Sequence, residues 1–339
     1  MRAAVLEEFN RPLTVQAVID PEPGLDEVIV RTGAAGICRT DLKIIEGAIP
    51  TVTTPRILGH ELAGEVVAVG GDGSGFREGA RVAVGLDISC GTCEYCRKGE
   101  LDYCARLLRL GLEQDGALAE YVRVPAANLI EIPPALTFAE AATIPDAVGS
   151  PYHAVLKRAG VTPGQTVAVY GLGGLGLVAV QVAALAGARV IAIARTEDRR
   201  SMARDLGATW SIDPDDGDLP GQIRDLTNGL GVHAFIDIVG IEGSVQQGVL
   251  ACRKGGRVVV LGYLVPQLTV GMMRLVYDEV SIMGSRGSTR RDLLEAVELV
   301  ERGLIRPIIG ATLELDDVNE GLDRLRDGSV IGRSVVSFG

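Results

Sequence analysis

The pattern of apolar and polar positions along the chain changes character near residue 148. Before that point the apolar runs are short and bounded by Pro or Gly, as in Ala3–Leu6, Glu27–Arg31 and Gly64–Val69. Short runs of this kind predict strands joined by turns. After that point apolar runs alternate with helical patterns, which predicts a parallel sheet with helices between its strands. We therefore expect two domains, of which the first is barrel-like.

The second region contains six predicted strands with helices between them. The strands are Val167–Tyr170, Arg189–Ala194, Thr209–Ile212, Ala234–Ile238, Gly256–Leu261 and Val280–Met283. Two βαβαβ halves predict an α/β, doubly wound sheet whose ligand crevice lies at the carboxyl ends of the strands. Helices at Asp292–Arg302 and Asn319–Asp327 and a strand at Ser334–Phe338 follow, and we expect them to pack back on the first domain. The predicted boundaries are 148–286 for the second domain, and 1–147 with 287–339 for the first.

A glycine-rich turn follows the first of these strands, with the sequence Gly171-Leu172-Gly173-Gly174-Leu175-Gly176. Gly171 allows a tight turn, Gly173 lets the backbone approach a pyrophosphate, and Gly176 lets helix and strand pack closely. The helix that follows begins with free N–H groups, which favour an anion. Because the turn lies in a strand–turn–helix unit, we predict that it binds a dinucleotide.

Composition and charge limit the possible partners. The chain has 339 residues, enough for about two domains. Its net charge of −11 argues against nucleic acid or an anionic membrane surface as a partner. The first residues do not resemble a secretion signal, and no apolar run is long enough to cross a bilayer. We therefore expect a cytoplasmic protein in a reducing compartment.

Four cysteines lie close together, at Cys90, Cys93, Cys96 and Cys104. This spacing supplies four thiolates from one loop, which is enough to close a tetrahedral Zn²⁺ site with no open position. A closed site binds metal and does not catalyse. An iron–sulfur cluster and a nucleic-acid zinc module are the alternatives, and the acidic net charge argues against the second.

Cys38 and His60 form a second candidate metal site. They lie in the segments Gly36-Ile37-Cys38-Arg39-Thr40-Asp41 and Gly59-His60-Glu61. Catalytic zinc usually takes three protein ligands, so a third must come from elsewhere in the chain. Taken singly, Cys38 is also consistent with a buried apolar cysteine, and His60 with a core histidine.

Together, these motifs resemble the zinc-dependent medium-chain alcohol dehydrogenase family over essentially the whole chain. They occur in family order, beginning with Gly-Ile-Cys and Gly-His-Glu and continuing through the four-cysteine loop, Asp115–Tyr121, the glycine turn and a closing Gly332-Arg333. The resemblance implies a GroES-like β-barrel catalytic domain joined to a Rossmann domain. It implies an enzyme that interconverts an alcohol and an aldehyde or ketone by hydride transfer to or from NAD(P), with one catalytic and one structural zinc.

The resemblance also implies the catalytic residues. Cys38 and His60 become zinc ligands, and Glu61 is the acidic neighbour that can exchange onto the metal. The third ligand in the family is a Cys, Asp or Glu, and Asp146 stands at that place. A solvated loop residue or a helix N-cap is the alternative interpretation of this residue. Thr40 matches the hydroxyl that takes the alcohol proton. A carboxylate is a harder ligand than a thiolate, so we expect a site less selective for zinc.

Four further residues surround this site in the family pattern. Asp41 would accept a hydrogen bond from the far nitrogen of His60 and fix its tautomer. Arg39 is expected near the cofactor phosphates, and Arg333 is the expected second pyrophosphate contact. Lys43 stands where many family members have a relay histidine. We expect a solvent-facing lysine there, with protons leaving through water.

The end of the second strand of the parallel sheet bears on the choice of cofactor. NAD enzymes commonly place an acid there to bind the ribose 2′-hydroxyl, whereas this chain has Ala194. Arg195, Arg199 and Arg200 follow, which suits bidentate recognition of a 2′-phosphate. We predict NADP(H), with NAD as the alternative that the nearby acids Glu197 and Asp198 favour. The other predicted cofactor contacts, at the ends of the fifth and sixth strands, are Leu261, Gly262, Tyr263, Ser285 and Arg286.

Other functions are consistent with parts of the sequence. A reductase or dehydrogenase of an enone or acyl-CoA thioester shares this fold, but its zinc-free version would lack the ligands at Cys38, His60 and Asp146. A non-catalytic binding protein would be expected to lose a ligand, and a zinc-cluster interaction module does not account for the rest of the chain. We expect a small-molecule alcohol or carbonyl substrate. The apolar strand Val280–Met283 predicts pairing in a homodimer or homotetramer.

Overall fold

The structure is a computed structural model that describes residues 1–71 and 75–339. It divides into two compact units. The first comprises Met1–Gly149, Gly287–Gly303 and Pro307–Gly339, and the second comprises Ser150–Arg286 and Leu304–Arg306. The sequence places the first change of domain after residue 147 and does not anticipate the short segment Leu304–Arg306. Two hydrogen bonds of 2.9 Å between the side-chain amide of Gln181 and the backbone of Arg306 hold this segment in the second unit.

The first unit consists mainly of strands. Numbered in chain order, they are β1 (Arg2–Leu6), β2 (Thr14–Ala17), β3 (Glu27–Ile37), β4 (Arg56–Ile57), β5 (Glu61–Val69), β6 (Arg81–Val84), β7 (Asp87–Ile88), β8 (Leu108–Arg109), β9 (Tyr121–Pro125), β10 (Leu129–Glu131), β17 (Ile309–Leu313) and β18 (Arg333–Ser337). The main sheet runs β10-β6-β5-β3-β18-β17, with β9 also paired to β3. Smaller sheets run β2-β1-β4 and β7-β8.

Short helices connect these strands. They are α1 (Arg39–Ile45), α2 (Glu94–Arg97), α3 (Phe138–Thr143), α10 (Arg290–Glu301) and α11 (Val318–Asp327), with 3₁₀ turns at Leu101–Tyr103, Ala126–Asn128 and Leu315–Asp317 and a π-helical turn at Ile144–Val148. Strand β18 pairs antiparallel with β3. The end of the chain therefore returns to the first unit, as expected.

Strand β3 is longer than the sequence pattern predicted. It continues beyond Arg31 to Ile37, through two glycines that the pattern treated as punctuation. A Cβ on Gly33 would lie 2.3 Å from the ring of Phe138, and one on Gly36 would lie 1.8 Å from the Glu61 carboxylate. These glycines mark close approach of neighbouring side chains and not the end of the strand.

The second unit contains a six-stranded parallel sheet. Its strands are β11 (Thr166–Tyr170), β12 (Arg189–Ile193), β13 (Trp210–Ile212), β14 (Val232–Asp237), β15 (Cys252–Val260) and β16 (Ser281–Gly284), in the order β13-β12-β11-β14-β15-β16. Its helices are α4 (Gly149–Tyr152), α5 (Gly174–Leu185), α6 (Glu197–Asp205), α7 (Leu219–Leu226), α8 (Ser244–Ala251) and α9 (Met272–Tyr277), with a π-helical turn at His153–Arg158. This order confirms the predicted doubly wound sheet.

Both ends of the fourth and fifth strands differ from the prediction. Strand β14 begins at Val232 and β15 begins at Cys252, both earlier than expected. The pairing register of the two strands shifts between Val232 and Ala234. The polar residues at the start of β15, which include Arg253 and Lys254, hid this extension because the sequence shows no apolar run there.

Candidate active site and metal centres

Helix α1 positions the first candidate ligand. Cys38 is its N-cap, and the backbone N–H of Cys38 donates a 2.8 Å hydrogen bond to the Asp41 carboxylate. This side-chain bond satisfies one of the donors near the helix start and fixes the entry of the chain into the helix. The Sγ of Cys38 lies 3.7 Å from the Thr40 hydroxyl oxygen. Thiol and hydroxyl therefore face the same space.

Asp146 lies in a π-helical turn and not at a helix N-cap. The turn Ile144–Val148 continues directly from α3. Pro145 stands at its start, and a proline has no N–H to donate to the preceding helical turn. Widening to a π turn at such a point is common at functional sites. The turn directs the Asp146 carboxylate towards Cys38.

Three of the predicted ligands meet. The Oδ2 atom of Asp146 lies 3.5 Å from Cys38 Sγ and 3.8 Å from His60 Nε2. All three ligand atoms lie within 4.8 Å of one another. A thiolate, an imidazole nitrogen and a carboxylate at this spacing fit a catalytic zinc site with a free position. The cluster lies entirely within the first unit.

The second nitrogen of His60 faces the predicted partner. His60 Nδ1 lies 3.5 Å from Asp41 Oδ1, which is longer than an ordinary hydrogen bond. Both atoms are buried and have no hydrogen-bond partner among the described residues. Burial lowers the pKa of His60, but the Asp41 charge and the hydrogen bond to Asp146 outweigh burial and raise the pKa well above its ordinary value. The contact with Asp41 directs Nε2 towards the other ligands.

Glu61 and Arg333 form a buried ion pair beside these ligands. Nη2 of Arg333 lies 2.6 Å from Glu61 Oε1 and 2.9 Å from Asp146 Oδ2. Burial raises the pKa of Glu61 to about 8, although the Arg333 guanidinium opposes the shift. Burial works against the charge of Arg333, but Glu61, Cys38 and Asp146 together raise its pKa. The family resemblance implied only a cofactor contact for Arg333. It did not indicate the hydrogen bond to Asp146, a candidate metal ligand.

Lys43 differs from the expected solvent-facing lysine. Its side chain is half-buried, and burial lowers its pKa to about 8, although the Cys38 charge opposes the shift. Lys43 lies in the last turn of α1, whose residues Leu42, Ile44 and Ile45 are buried. An exposed lysine at this place was therefore a wrong expectation.

The four cysteines of the loop form a compact cluster. Their sulfur atoms lie 3.9 Å apart for Cys90 and Cys96, 3.5 Å for Cys93 and Cys96, and 3.9 Å for Cys93 and Cys104. Four sulfurs at about 2.3 Å from one zinc ion in a tetrahedron lie about 3.8 Å apart. The cluster therefore fits a closed structural zinc site. This agreement favours zinc over the alternatives for this loop.

Hydrogen bonds prepare one of these thiols for metal binding. The backbone N–H of Thr92 is the main cause that lowers the pKa of Cys90 to about 5. Arg106, which the sequence did not single out, places Nη2 3.5 Å from Cys90 Sγ and 2.6 Å from the Thr92 hydroxyl. A thiolate is the form that binds metal.

The glycine turn has the backbone that its sequence predicts. Gly171 follows β11 with φ of +96°, a conformation that favours glycine. Gly173 is the N-cap of α5, and a Cβ on it would meet nothing within 4 Å. A Cβ on Gly176 would lie 1.8 Å from the Gly171 carbonyl oxygen, so only glycine fits there. Leu172 is buried, and Gly174 and Leu175 begin the helix.

The arginines after β12 are in different environments. Arg200 is half-buried, and its Nη1 donates to Asp213 Oδ2 at 2.6 Å and to the Ala194 carbonyl oxygen at 2.7 Å. Arg199 donates a 3.3 Å bond to the Leu172 carbonyl oxygen, beside the glycine turn. Arg195 is exposed. The acid that binds Arg200, Asp213, was missed because it follows β13, the next strand.

The Glu197 carboxylate, which the sequence suggested as a feature favouring NAD, is bound within its own helix. It pairs with Arg200 at 3.0 Å and with Arg204 at 2.5 Å. These hydrogen bonds, with Arg204 the larger contribution, lower the pKa of Glu197.

The remaining predicted cofactor residues lie at element ends. Arg39 donates to the Leu325 carbonyl oxygen at 3.4 Å, at the end of α11. Leu261, Gly262 and Tyr263 follow β15, and Ser285 and Arg286 follow β16. The Ser285 hydroxyl is buried and has no hydrogen-bond partner in the part of the chain that the structure describes.

Comparison with known proteins identifies the family. The model for the alcohol dehydrogenase GroES-like domain matches residues 24–134, and the model for zinc-binding dehydrogenases matches residues 174–302. An alcohol dehydrogenase from Geobacillus stearothermophilus is 37% identical over 340 residues, which cover 100% of this chain and 99% of that protein. The chain belongs to the zinc-dependent alcohol dehydrogenase family.

Two other similar proteins match essentially the whole of this chain. A crystal structure of an NAD-dependent alcohol dehydrogenase superposes with a TM-score of 0.93 and 34% identity, covering 100% of both chains. An acryloyl-coenzyme A reductase from Metallosphaera sedula is 31% identical, covering 99% of this chain and 100% of that protein.

These similarities confirm the predicted GroES-like and Rossmann fold and the predicted chemistry. This alcohol dehydrogenase family member is a zinc-dependent oxidoreductase that interconverts an alcohol and a carbonyl compound by hydride transfer with a nicotinamide cofactor. Among the described residues, no helix is long and apolar enough to cross a membrane.

Proposed function

We propose that Cys38, His60 and Asp146 hold the catalytic zinc of this alcohol dehydrogenase, and that Thr40 accepts the alcohol proton. The observation that carries the proposal is the meeting of three ligand types, from three distant segments, within 4.8 Å. When bound, zinc supplies a Lewis acid that polarises the alcohol or carbonyl oxygen. The Thr40 hydroxyl lies 3.7 Å from Cys38 Sγ. It would accept the alcohol proton while its own proton passes to water.

The four-cysteine loop is proposed as a structural zinc site. Its four thiolates leave no position for a substrate, so its metal would hold the loop and take no part in the reaction. The cysteines are Cys90, Cys93, Cys96 and Cys104.

The arginines beside Ala194 support a preference for NADP(H). A 2′-phosphate at the end of β12 would meet the exposed guanidinium of Arg195 and that of Arg199 beside the glycine turn. Glu197, the nearest acid in the sequence, is turned to Arg200 and Arg204. Arg200 is bound to Asp213 after β13. We propose that Arg200 stabilises this part of the fold and is not a main contact of the 2′-phosphate.

The test is hydride transfer with both cofactors in parallel. Reduced-nicotinamide absorbance is followed with a panel of alcohols and ketones, before and after chelator treatment. The proposal requires chelator-sensitive activity and a higher kcat/KM with NADP(H) than with NAD(H). Arg195→Ala should lose about tenfold in kcat/KM with NADP(H) and little with NAD(H). If Arg195→Ala lowered kcat/KM equally with NADP(H) and with NAD(H), Arg195 would not bind the 2′-phosphate.

A reductase acting on an acyl-CoA thioester is the second candidate. The specific support is the similarity to the acryloyl-coenzyme A reductase, which spans 99% of this chain. Acyl-CoA thioesters are therefore included in the same panel. Reduction of their double bond that survives chelator treatment would favour the reductase, because it would need none of the proposed zinc ligands Cys38, His60 and Asp146.

We also propose that the chain forms a homodimer or homotetramer in which two copies pair through β16. This strand ends one side of the parallel sheet, since it pairs only with β15 among the described strands. Apolar side chains near it in sequence are exposed, namely those of Met272, Met273 and Val276 in α9. Sedimentation should give a dimer or a higher oligomer, and Ile282→Lys on β16 should shift it to monomer.

A further inference from the structure

Three neighbouring strands bring Arg333 to the ligand cluster. The sheet order is β5-β3-β18. Gly36, near the end of β3, pairs with Glu61 on β5, and Ile37 pairs with Ser334 on β18. Glu61 and Arg333 therefore begin the two strands that flank β3 at the point where Cys38 follows it.

Because Gly36 has no side chain, the Glu61 carboxylate fits beside β3, where it meets Arg333. A Cβ at this place would lie 1.8 Å from Glu61 Oε2. In this position Glu61 Oε1 lies 2.6 Å from Nη2 of the Arg333 guanidinium. The Arg333 side chain is only 6% exposed and Glu61 is fully buried, so solvent does not weaken the pair.

The same guanidinium nitrogen reaches the third ligand. Nη2 of Arg333 lies 2.9 Å from Asp146 Oδ2, and this is the oxygen that faces Cys38 Sγ and His60 Nε2. Asp146 is the more exposed of the two carboxylates, at 14% against 0% for Glu61. Without the guanidinium, Asp146 would lose the hydrogen bond that keeps Oδ2 on the side of Cys38 and His60.

We propose that Arg333 is a positioning residue of the metal centre, which holds the Asp146 carboxylate in place to bind the catalytic zinc. The inference rests on the proposed zinc ligands and assigns Arg333 a role additional to a cofactor contact. A thiolate at position 146 would not need this support. It has a single donor atom, so it cannot present the wrong one, and sulfur bonds zinc more strongly than a carboxylate oxygen does.

The test measures zinc affinity and needs no turnover. Zinc dissociation from the purified chain is followed by competition with a chromogenic chelator, and zinc content by mass spectrometry. The four-cysteine loop serves as an internal reference in every molecule. Arg333→Gln should weaken the catalytic site about 10–100-fold and leave the loop site unchanged. Arg333→Lys should recover only part of the loss, because one ammonium group cannot bind both carboxylates in the same geometry.

Two further variants complete the design. In an Asp146→Cys background, Arg333→Gln should change zinc affinity by no more than about twofold, since the interaction partner is gone. Arg31→Gln is the matched control, because Arg31 forms a 3.3 Å ion pair from β3 to Glu65 on β5 at the exposed part of the same sheet. It should leave both zinc sites unchanged.

The outcomes separate the inference from the function on which it rests. If Cys38→Ala keeps two zinc ions with unchanged affinity, the proposed catalytic site itself is wrong. If Cys38→Ala loses one ion while Arg333→Gln binds zinc as tightly as the unaltered chain, only the role of Arg333 is wrong. An equal loss from Arg333→Gln in the Asp146→Cys background would also overturn it, because Arg333 would then act on the fold and not on Asp146.

Discussion

The two metal centres of the first unit differ in how the chain assembles them. The four cysteines of the loop lie between Cys90 and Cys104, and their cluster needs only local turns and the short helix α2. The ligands of the other centre come from the start of α1, the residue before β5 and the π-helical turn after α3. Cys38 and Asp146 are 108 residues apart. Local spacing specifies the first centre, and the pairing of strands specifies the second.

The two centres differ equally in chemistry. Four thiolates make a soft, closed site that holds metal tightly. One thiolate, one imidazole and one carboxylate make a mixed site with room for a substrate oxygen. We propose that the loop stabilises the fold, whereas the scattered centre carries the reaction. Each of the following variants tests this division.

The largest effect is expected from Cys38→Ala. Loss of a ligand from the open centre should lower kcat/KM by at least about a thousandfold, because the metal contributes several kcal/mol to the reaction. The melting temperature should change little, since the loop keeps its zinc. Cys252→Ala is the control, because this thiol is buried in the other unit and burial raises its pKa to about 12. Substantial activity in Cys38→Ala would remove the distinction between the centres.

Cys93→Ser should show the opposite profile. Cys93 Sγ contacts two other sulfurs of the cluster, so its loss should release the loop zinc. We expect the melting temperature to fall by at least about 10 °C. Activity measured well below that temperature should remain. Differential scanning calorimetry and initial rates on the same sample check both statements, and a selective loss of rate without loss of stability would contradict them.

Asp146→Cys would give the open centre a second thiolate ligand, which makes its ligand set more like that of the four-cysteine loop. A second thiolate should hold zinc about tenfold more tightly, because softer ligands suit this metal better. Chelator competition measures the change. Weaker zinc binding in this variant would indicate that the π-helical turn is built for a carboxylate alone.

The smallest effect is expected from Arg106→Gln. Its guanidinium lies 3.5 Å from Cys90 Sγ, but the main cause of the lowered pKa of Cys90 is the backbone N–H of Thr92. Zinc affinity of the loop should therefore change by less than about tenfold. Arg97→Gln, an exposed neighbour in α2, gives the baseline for loss of one positive charge. A larger loss would make Arg106 a main support of the loop.

The sequence predicts the loop centre and the parallel sheet well, because both depend on local spacing. The positions of Cys90 to Cys104 indicate the thiolate cluster directly, and the run from β11 through the glycine turn to α5 specifies the first βαβ unit. The open centre is different. Cys38 and His60 are ambiguous singly, and only resemblance to a family brings Asp146 to them.

Contacts between distant strands were beyond the sequence pattern. The ion pair of Arg333 with Glu61 and Asp146 depends on the register of β5, β3 and β18, which no local pattern specifies. Gly36 was the available signal, since a glycine inside a strand indicates close approach of another group. Lys43 was misjudged for a related reason, because its burial follows from how α1 packs and not from its own residue type.

The measurement that tests the central division most directly is graded removal of zinc from the unaltered chain. Increasing chelator is added while zinc content, rate and melting temperature are followed together. We expect the activity to disappear with the first zinc that is lost, and the melting temperature to fall only when the second zinc leaves. Activity that survives loss of the first zinc, or two ions that leave together with a single drop in stability, would contradict it.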